Sequence, residues 1–470
     1  MFTVPKKLKV TAYALIAIGL ISIIAGFVTD STRAWSSLHA NNFFFLAISL
    51  AAVFFYAIQY VGQAGWSVLI LRPMMAMTRY LPFAGAVMIF IILMGGLHKH
   101  HIYHWMDTFI SQEEVTVAEL EHYESTMTHH GSEHGDAHGD SHGNDHSNEH
   151  ATVEGDSHAE GHEEGHVDAS HESDAHHADS HGEAASPDAV VKNPHYDEII
   201  AGKTPYLNFP FFLVRALIYL LGWIFMSRLL RSASLREDIE GGDRYHRQSI
   251  KLSAIFLVFF AVTSSMSAWD WIMSIDTHWF STLFGWYVFA GMFVSGLTTL
   301  ALILVYLKSK GYLQEVNENH LHDLGKFMFA FSIFWTYLWF SQYMLIWYSD
   351  IPEEVTYYIA RFQYYKVPYL IMLALNFLFP VVILISRDAK RFHAGLIAGG
   401  IFILIGHWLD VIMMIYPGTL GQHWSLGWIE VGGMLGFAGL FILVVFTALS
   451  KAALLPKNHP MLKESKIHHI

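Results

Sequence analysis

Apolar residues in this chain come in runs of about 20, the length an α-helix needs to cross a hydrocarbon layer of roughly 30 Å, separated by short charged segments. Ten such runs are read at 10–28, 42–62, 80–98, 209–230, 252–274, 281–307, 325–347, 366–386, 394–416 and 428–450. The predicted fold is an all-α integral membrane protein with ten transmembrane helices. Spans one to three fall in residues 1–98, a non-membrane segment occupies 99–208, spans four to ten fill 209–450, and 451–470 form a polar tail. The first run follows Lys6, Lys7 and Lys9, as the apolar part of a signal peptide would. It is too long for one, and Gly26-Phe27-Val28-Thr29-Asp30 offers no small-residue cleavage site, so it is read as a retained helix.

Orientation follows from the loop cations. Of the 28 Lys and Arg, 21 lie in loops on the side of the N-terminus: Lys6, Lys7, Lys9, Arg72, Arg79, six from Arg228 to Lys251, then Lys308, Lys310, Lys326, Arg387, Lys390, Arg391 and four in the tail. The other side holds Arg33, Lys99, Lys192, Lys203, Arg215, Arg361 and Lys366. The bias places both termini in the cytoplasm and segment 99–208 outside. Trp269, Trp271, Trp279, Trp347, Trp424 and Trp428 gather at the outer ends and read as an interfacial aromatic belt.

Composition narrows the chemistry. With 53% hydrophobic and 15% charged residues, an ordinary soluble enzyme is excluded. With no cysteine, the chain holds no disulfide, thiolate-bound iron–sulfur cluster, thioether-linked haem or Cys-type zinc site. Inside the spans only His407 stands, with His98 at an edge, so no pair of axial haem ligands is expected either. The net charge of −13 comes from one place, since residues 129–183 carry fifteen Asp and Glu and no Lys or Arg. Fourteen His interleave with these acids, including His130, His134, His138, His142, His146 and His150 at four-residue spacing. On a helix that spacing stacks imidazoles on one face, where they could bind zinc or copper or buffer protons. Against this, scarce apolar residues and high charge cannot offset chain entropy, and the expectation is a disordered insertion.

A charge inside a span costs several kcal/mol, so each is a functional candidate. Asp270 and Asp276 lie toward the outer end of span five, Glu353 and Glu354 follow span seven, His407 and Asp410 lie in the outer half of span nine, and Glu430 opens span ten. His407 and Asp410 are three apart and share a helix face, where the carboxylate can set the imidazole tautomer. Asp270, His407, Asp410 and Glu430 are expected to converge on one polar cavity, with Asp276, Gln342 and Tyr343 as further quinone-site or proton-path candidates. The plainer readings stand beside these. Asp270 pairs with Arg215, Asp276, Glu353 and Glu354 are solvated loop charges, His407 is a hydrogen-bonded bundle histidine, and Trp335, Trp339 and Tyr343 are helix packing. A weaker set on the cytoplasmic side comprises Gln59, Gln63, Arg79, Asp388 and His393.

Three segments carry a family resemblance: WDWIMSIDTHWFSTLFG from Trp269 to Gly285, WFSQYMLIWYSDIPEE from Trp339 to Glu354, and GHWLDVIMMIYPG from Gly406 to Gly418. Together with the ten spans they resemble the ActF-type membrane subunits of bacterial alternative complex III, a quinol:cytochrome c (electron acceptor) oxidoreductase, within the NrfD-like, polysulfide-reductase-type family of membrane anchors. The homologous ActC-type subunits have similar segments; the ten spans, short N-terminus and His/acid-rich insertion favour the ActF type. The insertion itself is outside the shared pattern. The resemblance implies two four-helix bundles, spans two to five and six to nine, flanked by spans one and ten. It implies a place in the bacterial inner membrane and in an electron-transport complex, without catalysis by this chain alone. The partners it implies are an iron–sulfur subunit, multihaem cytochrome c subunits, a homologous quinol-binding membrane subunit and a terminal cytochrome oxidase, with membrane lipids around and no nucleic acid. No intrinsic cofactor is expected; the resemblance implies a quinone-type pocket, for menaquinone in such bacteria, or a proton path, with the homologous subunit the firmer candidate for the working quinol site. Two rivals remain: a catalytically silent scaffold of the same complex, and a metal-ion transporter suggested by the His-rich loop and the His407/Asp410 pair.

Overall fold

The computed structural model describes residues 2–130, 186–422 and 425–469. Its helices are α1 (Lys6–Thr29), α2 (Ser31–Val61), α3 (Leu71–Met77), α4 (Leu81–Gly96), α5 (Val117–His130), α6 (Glu198–Lys203), α7 (Phe209–Glu240) and α8 (Arg244–Trp271). They continue as α9 (Phe284–Ser309), α10 (Glu318–Ser349), α11 (Pro352–Gln363), α12 (Lys366–Leu373), α13 (Phe379–Leu384), α14 (His393–Leu420), α15 (Trp428–Ser450) and α16 (Leu462–Lys466). Among the described residues nine helical segments are long and apolar enough to cross a membrane, which makes this an all-α membrane protein. The seventh expected span, 325–347, is the body of α10. That helix has the length, 32 residues, but Trp335, Thr336, Trp339, Ser341, Gln342 and Tyr343 lower its apolarity.

Helices prevail because each closes its own backbone hydrogen bonds, the requirement lipid imposes. Where a proline removes a donor, the ladder adjusts. Pro380 follows a π-helical turn, Ala374–Leu378, which joins α12 to α13 within one span. The α1–α2 junction is a single residue, Asp30, whose carboxylate caps α2 by accepting the Arg33 N–H at 2.9 Å.

Two four-helix bundles result. In the first, α2, α3–α4, α7 and α8 pack in a ring; in the second, α9, α10, α12–α13 and α14 do the same. The long α2 also packs on α9 and α14, so it joins the bundles and is buried along most of its length. Outside, α1 and α15 pack on each other through small residues: Gly19 meets Gly436 backbone to backbone, and Ser22 fits over Gly432. Between helices already surrounded by lipid, close approach of this kind supplies the dispersion contact that holds them.

Alternate loops meet at opposite ends. At one end Arg72 pairs with Asp238, the Lys457 N–H donates to Asp238 at 2.9 Å, and Arg391 donates to Asn319 at 3.1 Å. These are the loops that carry most of the cations. At the other end Arg33 meets Glu430 and His278 lies 2.6 Å from Asp197. The expected tryptophan belt holds only in part. Trp347 and Trp428 are exposed, but Trp271 and Trp279 are core residues, because the Trp271 carbonyl accepts from His39 and Tyr103 and the Trp279 ring stacks on Tyr357 at 3.8 Å. Trp424 lies outside the described residues.

Residues 112–196 separate as a small unit of their own, narrower than the expected 99–208. In it a strand β1 (Glu114–Thr116) pairs antiparallel with β2 (Val190–Lys192), Val115 opposite Val191, and α5 follows β1. Of the His-rich insertion 129–183, with its expected disorder and metal spacing, only His129 and His130, the last residues of α5, lie within the described residues.

Replacing Gly436 with Leu is expected to destabilise the detergent-solubilised protein by about 1–3 kcal/mol, the usual overpacking cost, and to expose α1 to protease. Thermal unfolding checks it against Gly202→Ala, where an added Cβ meets nothing within 4 Å.

Candidate functional site

At the end of the bundles opposite the basic loops, three carboxylates are each tied to an arginine. Asp270, at the end of α8, is fully buried and receives four hydrogen bonds: Arg215 Nε at 2.9 Å and Nη2 at 3.0 Å, the Tyr206 hydroxyl at 3.0 Å and the Tyr219 hydroxyl at 3.1 Å. The guanidinium also lies over the Tyr206 ring at 3.9 Å. Glu430, in the first turn of α15, accepts from Arg33 Nε at 2.6 Å and Nη2 at 2.8 Å, from Tyr416 at 3.0 Å and from the Gly427 N–H at 2.7 Å. Asp276 faces Arg361 at 3.5 Å. It is half-buried and not the solvated loop charge that the sequence allowed; burial pushes its carboxyl up from the ordinary range, with Arg361 pulling the other way. Glu353 and Glu354 sit in the first turn of α11, where the helix dipole favours them.

Asp410 differs from all of these. It lies mid-way along α14, 3% exposed, and its partners are neutral: the Tyr287 hydroxyl donates to Oδ1 and the Trp335 indole N–H donates to Oδ2 at 3.1 Å. His407 Nδ1 stands 3.6 Å from Oδ2, beyond hydrogen-bond reach, and neither of its ring nitrogens has a protein partner. Its ring packs edge-on against Trp335, so it is a packed histidine without the hydrogen bonds expected of a bundle histidine. Among the described residues Asp410 has no ion-pair partner other than this histidine.

Asp410 also lines a small cavity in the second bundle with Tyr287, Trp339, Gln342, Tyr358 and Arg361. Within it the Trp339 indole donates to the Tyr369 hydroxyl at 2.8 Å. Arg361 is 1% exposed and its charge is held by the backbone, donating to the Tyr357 carbonyl at 2.7 Å and the Met413 carbonyl at 3.1 Å, with the Tyr357 ring 3.2 Å from its carbon centre. The space between these side chains is about the size of one water. Gln342 is at the wall; Tyr343 stacks behind Trp339 and does not line it.

The expected convergence of Asp270, His407, Asp410 and Glu430 therefore does not occur. Asp270 belongs to the first bundle, Glu430 to the α2–α15 seam, and His407 and Asp410 to the second bundle, with no shared partner and no shared cavity among the described residues. Each acid is satisfied by whichever donors its own helix neighbours supply. The cytoplasmic-side set does not assemble either. Gln59 is buried, Gln63 is an exposed turn residue with φ of 45°, Asp388 and His393 are exposed, and Arg79 joins other arginines on the surface of α7.

The sequence reading missed Arg361 and Tyr287, and it missed a buried group at the basic end. There Glu237 of α7, His246 of α8 and His459 of the tail bring one ligand atom each to within 4.8 Å of one another, and both Glu237 oxygens lack a hydrogen-bond partner. This trio has the donor chemistry for a divalent cation, although the Met461 N–H already donates to His459 Nδ1 at 3.2 Å. No sequence spacing signals it, because His459 arrives from more than 200 residues away. Neither protein-family models nor curated proteins give a match to this chain.

Arg215→Ala is expected to cost about 3–5 kcal/mol of stability, because it leaves Asp270 buried without its cation. Arg215→Met with Asp270→Leu should recover most of that. A double-mutant cycle on unfolding in mixed micelles measures the coupling, and additive losses would show that the pair is not what Asp270 depends on.

Proposed function

We propose that this chain is a membrane subunit of a respiratory quinol-oxidising complex of the alternative complex III type, and that its second bundle carries protons for that reaction through Asp410. The proposal places it in the bacterial inner membrane with both termini cytoplasmic and the His-rich segment periplasmic, in line with the uneven distribution of 21 of 28 cations. Electrons pass to iron–sulfur and multihaem cytochrome c partners, with the homologous membrane subunit and a terminal oxidase beside it.

One observation carries the reading: Asp410 is a buried carboxylate held by a tyrosine and an indole, while Asp270 and Glu430 are each neutralised by an arginine. An acid whose hydrogen bonds come from neutral donors gains or loses a proton at less cost than one locked in a bidentate pair with an arginine. The size of the cavity favours a proton path over a quinone site. A space for one water suits a proton relay through Tyr287, Asp410 and the groups beside them, and it is too small for a quinone ring. The scaffold reading draws support from the Arg215–Asp270 and Arg33–Glu430 pairs, which fix helices and have no spare valence. The metal-transport reading has less on its side, since His407 and Asp410 sit on one helix and no third ligand faces them among the described residues.

Asp410→Asn and Tyr287→Phe, each in the assembled complex, are expected to lower quinol turnover or protons released per electron by about tenfold or more, within the range of general acid–base effects. Asp270→Asn should change how much complex assembles and leave the rate per complex unaltered. Full turnover and full proton yield in Asp410→Asn would falsify the relay and leave the scaffold.

A further inference from the structure

The basic end of the first bundle holds a pocket of another kind. Arg79, in the turn that precedes α4, and Arg228, Arg231 and Arg236 of α7 surround a surface cavity of about 250 Å³ together with Ser232, Leu235 and Ile239. No carboxylate lines it. Among the described residues Arg79, Arg228 and Arg236 make no ion pair, and all three are exposed, while Arg231 is half-buried and donates to the Met75 carbonyl at 3.4 Å. Four guanidiniums gathered without an acid repel one another, and their convergence is stabilised by whatever anion enters between them.

The helix surface below the pocket says what that anion is attached to. On α7 the exposed residues Val214, Ile218, Leu221 and Phe225 form an apolar stripe at spacings of three and four, and the next positions on the same stripe are Arg228 and Ser232. On the neighbouring α4, exposed Phe83, Ala86 and Phe90 continue from Arg79 at spacings of four, three and four. Both apolar columns thus lead from lipid-facing surface into the arginines. A free phosphate would use the guanidiniums and leave the columns idle; a phospholipid uses both, its acyl chains along the stripes and its phosphates in the fork of the arginines. The geometry points to a binding site for an anionic phospholipid with two phosphates, of the cardiolipin type, on the α4–α7 face. This reassigns Arg79 from a proton path to a lipid contact, and it does not depend on the function proposed above.

The test uses the full chain purified in detergent, with tetraoleoyl cardiolipin, phosphatidylcholine and inorganic phosphate as probes, read by native mass spectrometry and by thermal stabilisation. Cardiolipin is expected to bind at least tenfold more tightly than phosphatidylcholine. Arg228→Gln with Arg236→Gln, both exposed and without structural partners, should remove at least tenfold of that affinity. Arg247→Gln, exposed at the same end but outside the pocket, should leave it unchanged. Unchanged binding in the double variant would overturn the site. Equal loss in Arg247→Gln would reduce it to general surface charge. Equal stabilisation by inorganic phosphate at matched phosphate concentration would show an anion site with no lipid in it.

Discussion

A charge inside a membrane protein must find an opposite charge or a full set of hydrogen bonds, and much of this structure follows from how its buried acids do so. Leaving one unpaired after its partner is removed costs about 3–5 kcal/mol, a large part of a typical folding free energy. Asp270 solves this with Arg215 and two tyrosines, which ties α8 to α7. Glu430 solves it with Arg33, which ties the start of α15 to α2. Asp276 meets Arg361, itself anchored to α14 carbonyls. Of these four acids Asp410 is the one whose hydrogen-bond donors are both neutral, which leaves it chemically available in a way the other three are not.

The packing around these pairs follows from the same solvent. Since lipid is as apolar as leucine, burial of apolar surface does little to drive helix against helix, and close contact between small residues and interior polar bonds do more. That accounts for the glycine seam between α1 and α15 and for the position of α2 between the bundles. It also explains why α10 lacks the continuous apolar stretch found in the nine other long helical segments. Trp335, Trp339 and Gln342 on it face the interior around Asp410, and both indole N–H groups are used there.

The positions of the spans and the segregation of basic loops were legible, because hydropathy and loop charge are local properties of a sequence; the two bundles were implied only by the family resemblance. Partnerships were not. Arg33, Arg215 and Arg361 read as outer-loop cations, yet each is bound to an acid; Arg33 and Glu430 are 397 positions apart, and Arg215 and Asp270 are 55. Only Arg215 sat close enough to its acid in the expected topology to be named as a rival explanation. The same blindness produced the expected convergence of four ionisable groups. That they fall in the half of the bundles away from the basic loops was readable, but which bundle each faces depends on helix rotation, which single residues in an apolar run do not fix. Trp271 was misread for this reason too, as an interfacial ring when it is a core residue at 0% exposure.

The central claim is that Asp410, and neither Asp270 nor Glu430, changes protonation during turnover. Redox-triggered infrared difference spectroscopy on the assembled complex reads this directly, through the C=O stretch of protonated carboxyl groups. The account expects a carboxyl difference band that disappears in Asp410→Asn and persists in Asp270→Asn and Glu430→Gln. A band untouched by Asp410→Asn, or one lost on removing Asp270, would contradict it.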